Sequence, residues 1–425
     1  MLLVVLLLAV GIGLFAYGAV SSVSLSQQQD VKTRLALVQV RDALIGWSVA
    51  RTTTGPLPNA RPGELPCPDM DNDGFEDGSC VAGAIGRVPW KTLGIPEPKD
   101  EAGETLWYAI AGPFRIWSMS GTVINSDTTG DITVYQDNAD TTLITPASTA
   151  TTLTTQAVAV IFAPGAPLGQ DRSSTTTMAC TAPSGTYPRN LCASNYLEIW
   201  SSVNNATING PFIQARSSST FNDRLLVITN ADLIPLLELR VARELRTILQ
   251  SYKANTACCT NLGGTAGCYP WADLSNGYSD ADPYNAGEGR NRGRIPSFGA
   301  SPYDWGTNPC GTAVPTLPTW FVNNDWRLVV FYTAGQNFLA PTGTTTYCTT
   351  CVDTTLTVDG VAGKEVVFLM PGPNLGASPR APVPTNDLTY WQYYFEDAEN
   401  QDNGNDWYVT PTSTAYTRDR IYTIP

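Results

Sequence analysis

The chain has 425 residues, 15% of them charged, and a net charge of −13; at roughly 100 to 200 residues per domain this length implies two lobes or more. It has no histidine, which removes the commonest general base, the usual zinc ligand and every histidine-dependent triad, and it shows no basic patch for holding nucleic acid by its phosphates. Ten cysteines among abundant Gly, Pro, Ser and Thr suit a turn-rich extracellular protein from an oxidising compartment rather than a cytosolic enzyme.

From Met1 to Gln29 no side chain is charged, and MLLVVLLLAVGIGLFAYGAV supplies about the 20 apolar residues that cross a bilayer. A signal peptide starts with a basic stretch, whereas the apolar run here starts at residue 1, so the expectation is that a basic leader has been removed. The following DVKTRLALVQVRDALIGWSVAR contains no proline, and Val31, Leu35, Val38 and Ile45 recur near a helical period, which predicts one helix running to about Arg51. Its first half is apolar all round and its second half amphipathic. A single-pass anchor would explain the first half alone.

That layout, together with RPGELPCPDMDNDG at 61–74, GRVPWKTLGIPE at 86–97 and ETLWYAIAG at 104–112, resembles the type IV pilin and type II secretion pseudopilin superfamily. The resemblance implies a prepilin peptidase that cleaves before Met1 and methylates its amine, then storage in the inner membrane. A pilus or type II secretion assembly machinery would then draw the subunit into a homopolymer, or into a filament with other pilins, at the cell surface, outside the cell or as a periplasmic pseudopilus. Filament packing would fall to Met1, Leu2, Leu3, Val5, Leu8, Gly11, Gly13, Leu14 and Gly18, the glycines permitting close helix approach at some expense of helix propensity. The family usually carries glutamate at the fifth position, where this chain has Val5. The main-subunit reading therefore stands beside a minor or tip subunit acting as an adhesin or binding module.

Next comes Asp69-Met70-Asp71-Asn72-Asp73-Gly74-Phe75-Glu76-Asp77, the first half of a calcium loop, with carboxylates at positions 1, 3 and 5 and the turn glycine at 6. Position 12, where a bidentate glutamate belongs, is Cys80. The loop thus reads either as a truncated Ca2+ site using Asp69, Asp71, Asp73 and Asp77 or as a solvated Asx-rich turn. Resemblance adds to the first reading, since some pseudopilins bind calcium in comparable loops. Proximity pairs Cys67 with Cys80, Cys180 with Cys192 and Cys348 with Cys351, leaving Cys258, Cys259, Cys268 and Cys310 to pair among themselves. Zinc at the CxxC of Cys348 and Cys351 would lack histidine partners, so structural disulfides are expected.

A second helix is predicted from Asp232, its N-cap, through LIPLLELRVARELRTILQSYKAN, with Leu233, Leu236, Leu237, Val241, Leu245, Ile248 and Tyr252 on its apolar face. It repeats the amphipathic half of the first helix, Leu37, Arg41 and Asp42 falling on Leu239, Arg243 and Glu244. The repeat continues. PCPDMDNDGFEDG matches YPWADLSNGYSDA, GRVPW matches GRIPS, LWYAIAG matches VFYTAG, AVIFAPGAPLG matches VVFLMPGPNLG, and NDRLLVIT matches RDRIYTIP. Six matches in one order indicate tandem duplication. The acidic loop is not repeated, since Ala272 and Leu274 align with Asp69 and Asp71.

Strands are expected at VAVIFAP, RLLVIT, RLVVFYT and KEVVFLM. The fold class expected is α+β: a long apolar N-terminal helix and two pilin-like lobes, each a helix packed on an antiparallel sheet. The divisions expected are 1–29 for membrane and filament core, 30–229 for the first lobe and 230–425 for the second. Carboxylate pairs such as Glu101 with Glu104, or Asp280 with Asp282, carry no mark of a glycosidase site. Trp107, Trp117, Trp271, Trp320, Trp326 and Trp391 suit either lobe cores or an adhesive surface.

Overall fold

A computed structural model describes residues 29–51, 60–137, 150–172, 175–260, 267–270, 272, 291–295, 317–339, 355–373, 394–401, 405–411 and 419–425. The chain forms two compact units. One comprises the described parts of Met1–Ser48, Leu65–Ser120 and Thr129–Thr229; the other comprises those of Val49–Glu64, Gly121–Thr128 and Asn230–Pro425.

In the first unit a helix spans residues 29–50. Thr33, Ala36, Leu37, Val40, Leu44, Ile45 and Ser48 are buried along one face, the 3.6-residue spacing that an amphipathic sequence imposes. Two polar ties fix it to its unit, Glu101 N–H donating to Thr33 Oγ1 at 3.1 Å and Arg224 Nη2 pairing with Asp30 Oδ1 at 2.5 Å. Val31 and Leu35, one turn apart, are 55% and 63% exposed.

Strands of this unit are β1 (Ile85–Arg87), β2 (Trp107–Ile110), β3 (Ile132–Gln136), β4 (Thr151–Ala163), β5 (Thr177–Cys180), β6 (Gly185–Pro188), β7 (Ile199–Trp200), β8 (Val203–Asn204), β9 (Phe212–Gln214) and β10 (Arg224–Thr229). The long β4 is the hub, pairing antiparallel with β2, β3 and β10, while β1 extends from β2 and β9 joins β3 in parallel. β5 with β6, and β7 with β8, form separate two-stranded sheets. The apolar run Ala157–Ala163 is buried throughout, whereas Thr151–Gln156 of the same strand is mostly exposed.

The second unit contains the helix Asn230–Ala254 and the strands β11 (Arg292–Arg294), β12 (Phe331–Ala334), β13 (Leu356–Val358), β14 (Val361–Lys364), β15 (Val366–Met370), β16 (Trp407–Tyr408) and β17 (Arg420–Ile424). The order β11-β12-β15-β17 is antiparallel, and it repeats the path β1-β2-β4-β10 residue by residue. Gly86, Tyr108, Ile161 and Leu226 lie in one cross-strand row; Gly293, Tyr332, Phe368 and Tyr422 lie in the other. The remaining β14-β13-β16 form a second sheet with a parallel β13-β16 pair. Leu233, Leu237, Val241, Leu245, Ile248 and Tyr252 of the helix are buried, but Leu236, assigned to the same face, is 45% exposed and Ile234 takes its place.

Residues 60–64 and 121–128 are tied to the rest of the second unit through Asn324. Its Oδ1 accepts from Arg61 Nη1 at 3.1 Å and from Ile124 N–H at 2.8 Å, its Nδ2 donates to the Trp320 carbonyl at 2.8 Å, and its own carbonyl accepts from Asn125 Nδ2 at 3.0 Å. Arg61 and Glu64 are both buried and pair at 3.2 Å. Ser126 Oγ donates to the buried Glu238 at 2.6 Å, and Arg420 of β17 also pairs with Glu238.

The expected fold class is corrected in two respects. The structure is mixed α+β with several sheets, two containing parallel pairs, rather than one antiparallel sheet per lobe: each long connection after a central strand returns to add a short parallel strand, as parallel pairing requires a crossover. A long apolar N-terminal helix is not part of the described fold. The first described helix begins at residue 29 and carries Asp30, Lys32, Arg34, Arg41 and Asp42, and no helix among the described residues is long and apolar enough to cross a membrane. The residues assigned to filament packing, Met1, Leu2, Leu3, Val5, Leu8, Gly11, Gly13, Leu14 and Gly18, lie outside the described residues. A further difference concerns RLVVFYT, where Trp326–Val329 forms a helical turn and the strand starts only at Phe331.

Candidate functional site

The acidic loop lies between Cys67 and Cys80, which form a disulfide with Cα atoms 5.7 Å apart. Asp69 organises the turn from within. Its Oδ1 accepts from Asn72 N–H at 2.6 Å and from Asp73 N–H at 3.2 Å, and its Oδ2 accepts from Gly74 N–H at 2.7 Å. Asp69 also bridges to the end of β1, its N–H donating to the Arg87 carbonyl at 2.9 Å and its carbonyl accepting at 2.7 Å. Gly74 is required at φ +89°, both for the left-handed backbone and because a Cβ there would stand 2.8 Å from the Trp90 ring. From the opposite side Lys91 Nζ donates to the Asp73 carbonyl at 2.5 Å and lies 5.0 Å from the Phe75 ring centre.

Asp69, Asp71 and Asp77 each bring a carboxylate oxygen within 4.8 Å of the others. Asp73, the fourth residue assigned to this set, is outside that cluster, its Oδ1 accepting from Phe75 N–H at 2.7 Å. Asp77 Oδ2 accepts from Met70 N–H at 2.5 Å. Burial pushes the Asp69 carboxyl up to about 6, against the pull of its backbone N–H bonds and with the help of the Asp71 and Asp73 charges. Burial likewise raises Asp77. Three clustered carboxyl groups, one of them buried and reluctant to ionise, form a hard-oxygen donor set of the kind calcium takes. The same hydrogen bonds also complete an Asx-rich turn without an ion.

Cys180 and Cys192 form the second disulfide, closing the β5-β6 hairpin with Cα atoms 5.4 Å apart. Cys258 and Cys268 are each disulfide-bonded; Cys310, Cys348 and Cys351, and the side chain of Cys259, lie outside the described residues. Trp107, Trp320 and Trp326 are buried, while Trp407 on β16 is exposed. The side chains of Trp117, Trp271 and Trp391 lie outside the description, as do Asp280 and Asp282.

Sequence reasoning missed a pair of buried braces. In the first unit Asn205 exchanges two hydrogen bonds with the backbone of Ile213 on β9, at 2.8 and 3.1 Å, and donates to Asp223 Oδ2 at 3.0 Å. In the second, Asn400 does the same with Val409, at 3.0 Å both ways, and with Asp419 at 3.1 Å. Arg87 stacks over Trp107 and Tyr196, and Arg294 over Phe331 and Tyr394. The signal was available as Tyr-x-Glu followed by Asn and then Asp, at 196, 198, 205 and 223 and again at 394, 396, 400 and 419. Compared with family models, curated proteins and solved structures, the chain finds no match in any of the three.

Proposed function

We propose that the chain is a structural subunit of an extracellular, type IV pilus-like filament, its uncharged N-terminal segment supplying the assembly contact and its two-unit, disulfide-braced head facing outward. The observation carrying this reading is the helix at 29–50. One face is buried in the head, yet Val31 and Leu35 stay exposed on the other, directly after 29 residues without a charge. An apolar stripe that leads out of such a run suits burial against neighbouring copies or other pilins. Before assembly the same segment would rest in the inner membrane, to be extracted by pilus or type II secretion machinery. Where the head holds calcium, Asp69, Asp71 and Asp77 would hold it, and the ion would neutralise carboxyl groups that now crowd one another.

Val5 favours a second reading, a minor or tip subunit that binds a surface or an exported protein. Antibody raised against the head and applied to purified filaments separates the two. Labelling along the shaft is the expected result, labelling at one end alone supports the tip role, and absence from every filament fraction overturns both.

A further inference from the structure

In the turn between β8 and β9, Asn209 and Gly210 are both left-handed, at φ +67° and φ +64°. Positive φ at two successive positions is a conformation that Asn and Gly tolerate best. The turn is seated on Gly83. Asn209 N–H donates to the Gly83 carbonyl at 3.1 Å, and the approach is so close that a Cβ on Gly83 would stand 2.1 Å from Asn209 Oδ1 and 2.5 Å from its Cα. Gly83 N–H donates in turn to the Ile110 carbonyl of β2 at 3.0 Å, so this contact holds the turn to the main sheet.

An Asn-Gly pair carries its own chemistry, because the glycine nitrogen, unshielded by a side chain, can close a five-membered ring on the carbonyl carbon of the Asn side chain. Two restraints prevent this in a folded chain: a hydrogen bond that occupies the attacking N–H, and bonds that hold the side chain. Among the described residues neither restraint operates at Asn209. Gly210 N–H donates to none of them, and the carboxamide of the exposed Asn209 makes no hydrogen bond with them. The three other described residues of this kind, all Asp before Gly, are each held. After Asp73, Gly74 N–H donates to Asp69 Oδ2 at 2.7 Å; before Gly78, Asp77 Oδ2 accepts from Met70 N–H at 2.5 Å. Before Gly360, Asp359 accepts from Thr410 N–H at 2.7 Å and from the Thr410 hydroxyl at 2.8 Å. These three are also acids, poorer targets for a nitrogen nucleophile than the neutral amide of Asn209.

We propose that Asn209 and Gly210 form a self-modification site, at which the folded chain converts the Asn209 side-chain amide to aspartate and isoaspartate without an enzyme. Gly210 N gives up its proton to solvent base and bonds to Asn209 Cγ. The Cγ–Nδ2 bond breaks, the nitrogen takes up a proton and leaves as ammonia, and a succinimide remains. Water then opens the ring at either carbonyl. One opening restores the ordinary backbone with an aspartate side chain; the other routes the main chain through Cβ and Cγ and leaves isoaspartate. Either product adds a carboxylate to the turn, and isoaspartate adds a backbone atom where the turn is seated on Gly83. The left-handed turn that calls for Asn and Gly is thus the source of the lability.

The test follows peptide masses and isoaspartate content of the full-length protein in detergent at pH 7 and 9, with a synthetic peptide of residues 205–215 as the unrestrained reference. The expected result is conversion at residue 209 of the folded chain within tenfold of the peptide's rate, several-fold faster at pH 9 than at pH 7. Asn209→Gln, whose longer side chain cannot close the same ring, is expected to remove the signal. Conversion in the folded chain more than tenfold slower than in the peptide, or an amide retained at 209 throughout, would overturn the proposal. If the variant does not fold, the comparison of folded wild type with peptide decides.

Discussion

Tyr108 and Tyr332 occupy equivalent positions in two sheets, and each donates its hydroxyl to a proline carbonyl, Pro66 at 3.2 Å and Pro270 at 2.8 Å. Both rings are fully buried, so removing either hydroxyl strands a carbonyl in the interior. Tyr108→Phe and Tyr332→Phe are each expected to cost about 1 to 2 kcal/mol, the usual penalty for a buried group left without its partner. Chemical denaturation of the two variants checks this, and unequal losses would show that the copies no longer use the bond alike.

Asn324 gathers Arg61, Ile124 and Trp320 through three side-chain hydrogen bonds. Asn324→Ala leaves the buried Arg61 short of one acceptor, and a loss of roughly 2 to 4 kcal/mol is expected from the stranded groups. A fragment of 230–425 is expected to be protease-sensitive as well, because Glu238, Arg240 and Asn324 lose partners on 49–64 and 121–128. Limited proteolysis of that fragment, with and without segments 49–64 and 121–128 restored, gives the measurement.

The Asp69 carboxyl, raised to about 6 by burial, makes the acidic loop sensitive to pH. Its folded value exceeds its unfolded one, so its contribution is present below about pH 4 and is lost as pH rises through about 6. Stability followed from pH 4 to 7 is expected to fall across that window in the wild type and to fall less in Asp69→Asn. Millimolar Ca2+ is expected to restore stability at pH 7, with Asp71→Asn and Asp77→Asn weakening that effect and Asp73→Asn leaving it nearly unchanged.

Removing the clasp of the same loop offers an independent check. Cys67 and Cys80 are 13 residues apart, and opening a loop of that size is expected to cost about 3 kcal/mol. The double serine variant should melt lower and, in a calorimetric titration, bind Ca2+ more weakly than the wild type.

Leu35→Asp alters the exposed stripe of the first helix without touching its buried face. Filament yield is expected to collapse while the melting temperature of the head stays within a few degrees, since exposed substitutions typically change stability by less than about 0.5 kcal/mol. Gly13→Leu should act the same way. Normal filaments from both variants would count against packing through this segment.

Much of the sheet framework was legible, and the reasons are local. β-branched and aromatic runs bounded by Gly and Pro mark β4, β10, β12 and β15, and the repeat pairs Trp107 with Phe331 and Phe162 with Leu369, as the strand registers do. The spacing of Cys67 to Cys80 and of Cys180 to Cys192 matched the disulfides found. Placement of 49–64 and 121–128 was not legible: Arg61, Glu64 and Asn125 act through long-range polar bonds, which leave no periodic trace. The parallel strands β9 and β16, of three and two residues, are too short for alternation to register. In the acidic loop the spacing showed the carboxylates but not that Asp73 turns to cap Phe75.

Because the second unit takes in 49–64 and 121–128, the backbone passes between the two units five times, at 48/49, 64/65, 120/121, 128/129 and 229/230. A duplicated gene ordinarily yields cassettes that recombination can delete, shuffle or multiply. Here a cut at 229/230 would leave the second unit without the residues of 49–64 and 121–128 that belong to it.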